Sequence, residues 1–222
     1  AGAVQGVSSI TWTWGAVCNV TPANYNVLTA SNNVNMSGTL AALTWNEVNL
    51  ATNTEYGRQA RGINAPTGFP TALTPSTSFY THAAQPGTPA NPFTEVNLTS
   101  VTLNWLANGN PGNTEFFVQA STASDFTGTL FYPEGGASAW LTSVSTTVVG
   151  LAGGVTYYFE VRARNGDGIV TGFTVLGSTL TRGGSKTWSN ATGDLNWYTA
   201  GNWSPAGVPT ADDYTTIDRT EI

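Results

Sequence analysis

The amino-acid sequence carries one pattern twice. Trp14 and Tyr25 stand eleven residues apart, and so do Trp105 and Phe116. Leu50, Thr52, Tyr56, Arg61 and Asn64 share their mutual offsets with Leu151, Gly153, Tyr157, Arg162 and Asn165, so LATNTEYGRQARGIN repeats as LAGGVTYYFEVRARN. A period near a hundred residues means tandem globular domains, because solenoid repeats run only to about 20–50 residues. The copies lie 91 residues apart at the tryptophans and 101 at the leucines, which places a ten-residue insertion between the front and back halves of the second copy. A chain of 222 residues has room for two such domains, each large enough to bury a core without metals or disulfides. Its single cysteine, Cys18, rules out an internal bridge.

Within each copy the apolar residues alternate with polar ones. Residues 9–14 (Ser-Ile-Thr-Trp-Thr-Trp) and 101–105 (Val-Thr-Leu-Asn-Trp) have period two, which predicts strands with one buried face. Further strands are expected at 25–30, 40–48, 56–63 and 79–82, with counterparts at 116–121, 146–149, 157–164 and 176–182. Turn signals such as Asn108-Gly109-Asn110-Pro111-Gly112 and Asn165-Gly166-Asp167-Gly168 recur every eight to twelve residues. That rhythm marks an all-β fold of sandwich type.

The paired residues resemble the fibronectin type III module: a Trp on the second strand, an aromatic eleven residues on, a Leu, a Tyr six residues later, and Arg-x-x-Asn ending that strand. The resemblance covers about 1–182. It implies two tandem immunoglobulin-like β-sandwiches with Trp14, Tyr25, Leu50 and Tyr56 in one core and Trp105, Phe116, Leu151 and Tyr157 in the other. It also implies that Tyr56 and Tyr157 form tyrosine corners, each hydroxyl bonded to backbone a few residues upstream. Gly153 departs from the pattern, since the family often has Pro there. The expected domains are 1–82, a linker at 83–89 that is small, proline-bearing and uncharged, 90–182 with its insertion near 128–140, and a truncated Trp-rich β segment at 183–222. That last segment resembles the opening of the β-helical repeat regions of bacterial autotransporter-like surface proteins, with Trp188, Asn196-Trp197, Asn202-Trp203 and Val208-Pro209 carrying the likeness.

Composition narrows the function. Charged residues make up 9% of the chain and the net charge is −6, so there is no basic stripe for nucleic acid or an anionic membrane. No apolar run reaches the length of a membrane-spanning helix. The chain opens without Met or a signal peptide, so it is expected to be a mature product or an excised piece. A catalytic triad needs a base, and the one histidine, His82, sits at the linker; no nucleotide, zinc or redox motif appears, and neither catalysis nor a cofactor is expected. Asp167, Asp212, Asp213 and Asp218 are oxygen donors of the kind calcium takes, with a hairpin turn and a solvated chain end as the simpler readings. Asn19, Asn35, Asn97, Asn190 and Asn202 head glycosylation sequons of the sort that an Asn- and Thr-rich chain produces by chance.

The aromatic surplus points to contact. Trp45, Phe131, Tyr132, Trp140, Trp188, Trp197 and Trp203 exceed what two tryptophan-centred cores require, and exposed rings stack on sugars or seal interfaces. Phe131, Tyr132 and Trp140 lie in the insertion, and Trp188, Trp197 and Trp203 could instead form a small core of their own. Residues 4–7 are expected to supply the first strand of the first module, and 214–222 to begin a strand without a partner. At least one terminus is then completed by a neighbouring polypeptide. The functional expectation is a non-catalytic structural or adhesive module of a secreted or cell-surface bacterial protein, acting as spacer and interaction platform. Its partners are other protein chains or further domains of the same protein. The alternatives are a subunit of an extracellular fibre and a carbohydrate-contacting accessory module of a polysaccharide-degrading enzyme.

Overall fold

The fold comes from a computed structural model, which describes residues 2–4, 6–16, 22–211 and 213–217. Cys18, Asn19, Asp212 and Asp218 lie outside the described residues. The chain forms two compact units, one comprising Ala1–Gly87, Ala107–Phe116 and Arg162–Phe173, the other Thr88–Leu106, Phe117–Val161 and Thr174–Ile222.

In the first unit, β1 (Gly2–Val4), β2 (Ser9–Thr13) and β4 (Thr44–Val48) form one antiparallel sheet in the order β1-β2-β4. The facing sheet is β3 (Pro22–Thr29), β5 (Glu55–Asn64) and β6 (Thr77–Tyr80), in the order β3-β5-β6. Two expectations shift here. The first strand is Gly2–Val4 rather than 4–7, because Gly2 pairs with Trp12 and Val4 with Ile10. The expected strand at 40–48 splits: Leu40 exchanges backbone bonds with Tyr25 of β3, and only from Thr44 does the chain join β2 in the other sheet.

The second sandwich repeats the plan. One sheet has the order β11-β8-β7, made of β7 (Phe93–Val96), β8 (Ser100–Asn104) and β11 (Ser145–Val149). The other is β10-β9-β12-β13, from β9 (Glu115–Ser121), β10 (Leu130–Phe131), β12 (Thr156–Arg164) and β13 (Thr174–Leu180). Strand β10 comes from the insertion; among the described residues the first sandwich has at that edge isolated bridges, Tyr25 with Leu40 and Leu28 with Asn35, in place of a strand. The fold is all-β with two tandem sandwiches, as the repeat implied.

A small third sheet follows in the order β15-β14-β16, from β14 (Ser185–Trp188), β15 (Trp203–Ser204) and β16 (Tyr214–Ile217). Strand β16 runs parallel to β14, pairing Ser185 with Tyr214 through Trp188 with Ile217. This corrects the expectation of a final strand without a partner, since β14 supplies one from the same chain.

Both corners are closed alike. Tyr56 Oη accepts the Ala51 N–H at 2.8 Å, and Tyr157 Oη accepts the Ala152 N–H at 2.9 Å. A fully buried threonine completes each corner. Thr81 Oγ1 donates to Ala51 O and accepts from Thr54 N–H; Thr181 Oγ1 donates to Ala152 O and accepts from Val155 N–H. Beside the second corner, a Cβ on Gly153 would collide with the Leu98 side chain and come within 2.9 Å of Arg182 O, so close packing keeps glycine there. The core aromatics are not equally enclosed. Trp105, Phe116, Leu151 and Tyr157 are buried, as is Tyr25, whereas Trp14, Leu50 and Tyr56 are half-buried.

The difference between the cores is chemical. At the positions where the second sandwich buries Leu103, Val148 and Phe159, each 0% exposed, the first holds Trp12, Glu47 and Arg58. Arg58 grips Glu47 with two bonds, Nη2 to Oε1 at 2.6 Å and Nε to Oε2 at 3.0 Å, and Trp12 Nε1 donates to Glu47 Oε2 at 2.9 Å. Removing one partner strands a buried charge, which costs about 3–5 kcal/mol, whereas replacing the whole cluster with apolar side chains of suitable volume is neutral or stabilising. Chemical denaturation should therefore show Glu47→Ala destabilised by about 3–5 kcal/mol. The triple change Trp12→Leu, Glu47→Val, Arg58→Phe should match or exceed the parent, and a triple variant weaker than Glu47→Ala would contradict the equivalence of the two cores.

Candidate functional site

In the second unit the insertion packs its rings inward along one edge. Phe131 meets Tyr157 edge-on with centroids 5.2 Å apart, while Tyr132 and Trp140 tilt against Phe117 at 6.0 and 5.6 Å. All three are half-buried. Trp45 is half-buried on β4, opposite Trp12.

The three C-terminal tryptophans come together. Trp203 stands edge-on to both Trp188 and Trp197, at 5.1 and 4.4 Å, and Trp188 lies nearly parallel to Trp197 at 5.9 Å. Trp188 and Trp203 are buried, whereas Trp197 is 40% exposed. Trp203 Nε1 donates to Trp197 O at 2.9 Å, which fixes the loop to the cluster. The loop then turns outward and presents Leu195 and Tyr198, 70% and 79% exposed.

A polar network holds that loop. Asn202 is completely buried; its Oδ1 accepts from Thr192 N–H at 3.0 Å and Thr192 Oγ1 at 2.6 Å, and its Nδ2 donates to Asn196 O and to Asp194 Oδ1. Asp194 also accepts from Thr199 Oγ1 at 2.7 Å and Asn196 N–H at 2.9 Å. These donors, the Thr199 hydroxyl foremost, hold the Asp194 carboxyl well below the usual aspartate range. Leu195 has φ +53°, a left-handed conformation unusual for a branched apolar residue, and its N–H donates to Asn190 Oδ1 at 3.0 Å. Strain of that kind persists only where the surroundings over-determine the backbone. Leu195 and Tyr198 lie outside the candidates that the sequence offers, which are tryptophans and insertion aromatics. The signal available was an apolar residue set between Asp194 and Asn196 in a turn.

The remaining candidates have ordinary partners. Asp167 Oδ2 accepts the Tyr80 N–H at 2.8 Å within the first unit, and Asp213 Oδ2 accepts from Thr210 N–H at 2.8 Å. Among the described residues no group of three or more His, Cys, Asp and Glu is placed to hold a metal ion, and no helix is long and apolar enough to cross a membrane. His82 is half-buried, with its backbone bonded to Gly6 O and Asn53 N–H. Of the sequons, Asn202 is enclosed, while Asn35 and Asn97 are exposed.

With this geometry in view, comparison with known proteins places the architecture. The model of the fibronectin type III domain matches residues 87–176. A solved two-domain fibronectin type III segment from chicken tenascin matches 82% of this chain and 97% of its own, at 14% identity and a TM-score of 0.51. The fold is the tandem fibronectin type III fold. A chicken CNTN1 segment of domains FN1–FN3 also matches, covering 82% of this chain and 65% of that one, at 12% identity and a TM-score of 0.35. No curated protein matches the chain. The tenascin likeness speaks to the two type III sandwiches, and the third sheet with its aromatic loop is described by its own geometry.

The lowered pKa of Asp194 has a testable sign. A carboxyl whose folded pKa lies below its unfolded value adds stability that is complete above the ordinary 3.8 and is lost as pH falls through the lower folded value. The indole N–H resonance of Trp203 should therefore keep its native shift down to pH 3.8 and move only below it. Asp194→Asn should remove the dependence in that lower window, and a shift already complete above pH 3.8 would contradict the network.

Proposed function

We propose that the chain is a non-catalytic structural and adhesive module of a large bacterial extracellular or cell-surface protein. Two type III sandwiches act as spacer, and the third sheet presents the contact. One observation carries the reading: an apolar tip, Leu195 with Tyr198, stands in solvent on a loop over-determined by Asn202, Asp194 and Trp203. Exposed apolar residues on a loop that is already fixed lose little freedom on binding, so a partner gains affinity from them at small entropic cost. The exposed ring of Trp197 extends the same surface. Other protein chains, or further domains of the same protein, are the partners in this reading, and the location is outside the cell.

A second reading, a fibre subunit, draws on β16. It is an edge strand with all four residues exposed, and an open edge is a template for another strand. Filaments grown from the purified chain would favour that reading over the first.

The test of the first reading uses the complete protein in its native host. Leu195→Ser with Tyr198→Ser should lower attachment of the displaying cells severalfold while display, and the melting of the isolated chain, stay unchanged. Full attachment by a fully displayed variant would overturn it.

A further inference from the structure

The registers of β1 with β2 and of β5 with β6 match those of β7 with β8 and of β12 with β13 at the residues paired with Trp12 and Arg58, so those positions have counterparts. In the second sandwich β7 sets Phe93 opposite Leu103. The Phe93 ring packs on Phe159 with centroids 5.2 Å apart and an interplanar angle of 57°. Across the next strand pair Phe159 faces Gly177, where a Cβ would lie 3.8 Å from the Phe93 ring. One aromatic ring thus fills the space above Leu103, Phe159 and Gly177.

In the first sandwich the same three places are Trp12, Arg58 and Thr77, with Arg58 facing Thr77 across the strands. The residue opposite Trp12 is Gly2, so β1 brings no ring. A cleft of about 270 Å³ opens there, walled by Trp12, Arg58 and Thr77 with Trp14, Gln59 and Thr74. We propose that this cleft is a socket for an aromatic side chain, carried on an extended segment of a partner polypeptide, which takes the place that Phe93 fills in the second sandwich.

Size, chemistry and access agree with a ring. A cavity of about 150 Å³ holds benzene, so this one holds a phenyl group together with its Cβ. Arg58 stands where Phe159 supports the other ring. Its guanidinium uses its N–H groups in its own plane, on Glu47 and on Gly57 O at 2.9 Å, so a π-system meets it only across its flat face. That face already meets Trp12 at 5.8 Å and Tyr56 at 5.3 Å. Glu47 neutralises Arg58, so an anionic ligand gains nothing there. Thr77 opens β6, the edge strand of its sheet, and an extended segment laid along that edge brings a side chain to the socket; Phe93 instead arrives from the opposite sheet, on β7 paired with β8, a place that β1 holds in the first sandwich.

The test uses the full chain and a peptide copying residues 91–97, Asn-Pro-Phe-Thr-Glu-Val-Asn, followed by NMR. The peptide should shift the indole N–H signals of Trp12 and Trp14 and the Thr77 amide, saturably. Its Phe-to-Ala version should bind at least about tenfold more weakly. Thr74→Trp should fill the socket from its own lining and abolish the peptide shifts; Thr77→Trp, which blocks the cleft at a second lining position, should also abolish them. Signals that stay still at millimolar peptide, an Ala peptide that binds equally, or unchanged binding by both variants would overturn the proposal. So would N-acetylphenylalaninamide binding as tightly as the peptide, since the strand would then contribute nothing. Neither variant touches Leu195 or Tyr198, so this socket and the loop contact stand or fall separately.

Discussion

The corner at which each sandwich passes from one sheet to the other is the constraint on which the rest depends. A tyrosine hydroxyl takes one backbone N–H, and a buried threonine hydroxyl bridges a carbonyl and a second N–H. Each bond is worth on the order of 1 kcal/mol net, but leaving those backbone groups unpaired in a buried corner would cost more. Their larger effect is geometric. A strand shifted by one residue would turn every inward side chain outward, and the corner forbids that shift. Arg58 and Phe159, two residues beyond their corner tyrosines, therefore face inward in both copies, although one is charged and the other apolar.

With register fixed, the copies diverged by changing what fills shared positions. The second sandwich has an apolar centre and a fourth strand, β10, on its larger sheet. The first has a buried ion pair, an indole bonded to it, and an unfilled cleft beside it. A buried ion pair is weak evidence for stability, because the desolvation of its charges offsets most of their attraction. Its value here lies in the flat cationic floor it gives the cleft. The third sheet follows a different logic: its buried tryptophans and Asn202 fix one loop, and that loop puts apolar side chains into water.

Much of the fold was legible in the doubled Trp, Leu and Tyr positions, because period-two alternation and matched offsets carry strand order and register together. The buried charges were not. In β4 the run Thr-Trp-Asn-Glu-Val reads as if Val48 faced the core, yet Glu47 is 4% exposed and Val48 is 53% exposed. Only the presence of Arg58 and Trp12 across the core makes that orientation affordable, and their meeting is a tertiary fact. Thr81 and Thr181 were invisible for a similar reason, since a threonine in a polar chain of this kind carries no mark of burial. At the C-terminus an aromatic count locates the cluster but cannot tell which rings face solvent, because the buried Asn202 decides how the loop turns.

Shared register is the central claim, and cross-strand backbone NOEs test it most directly. The account predicts contacts for Gly2 with Trp12 and Arg58 with Thr77 in the first sandwich, matching Phe93 with Leu103 and Phe159 with Gly177 in the second. A first sandwich whose pairs are offset by one residue from these would point Trp12 and Thr77 away from the core and contradict it.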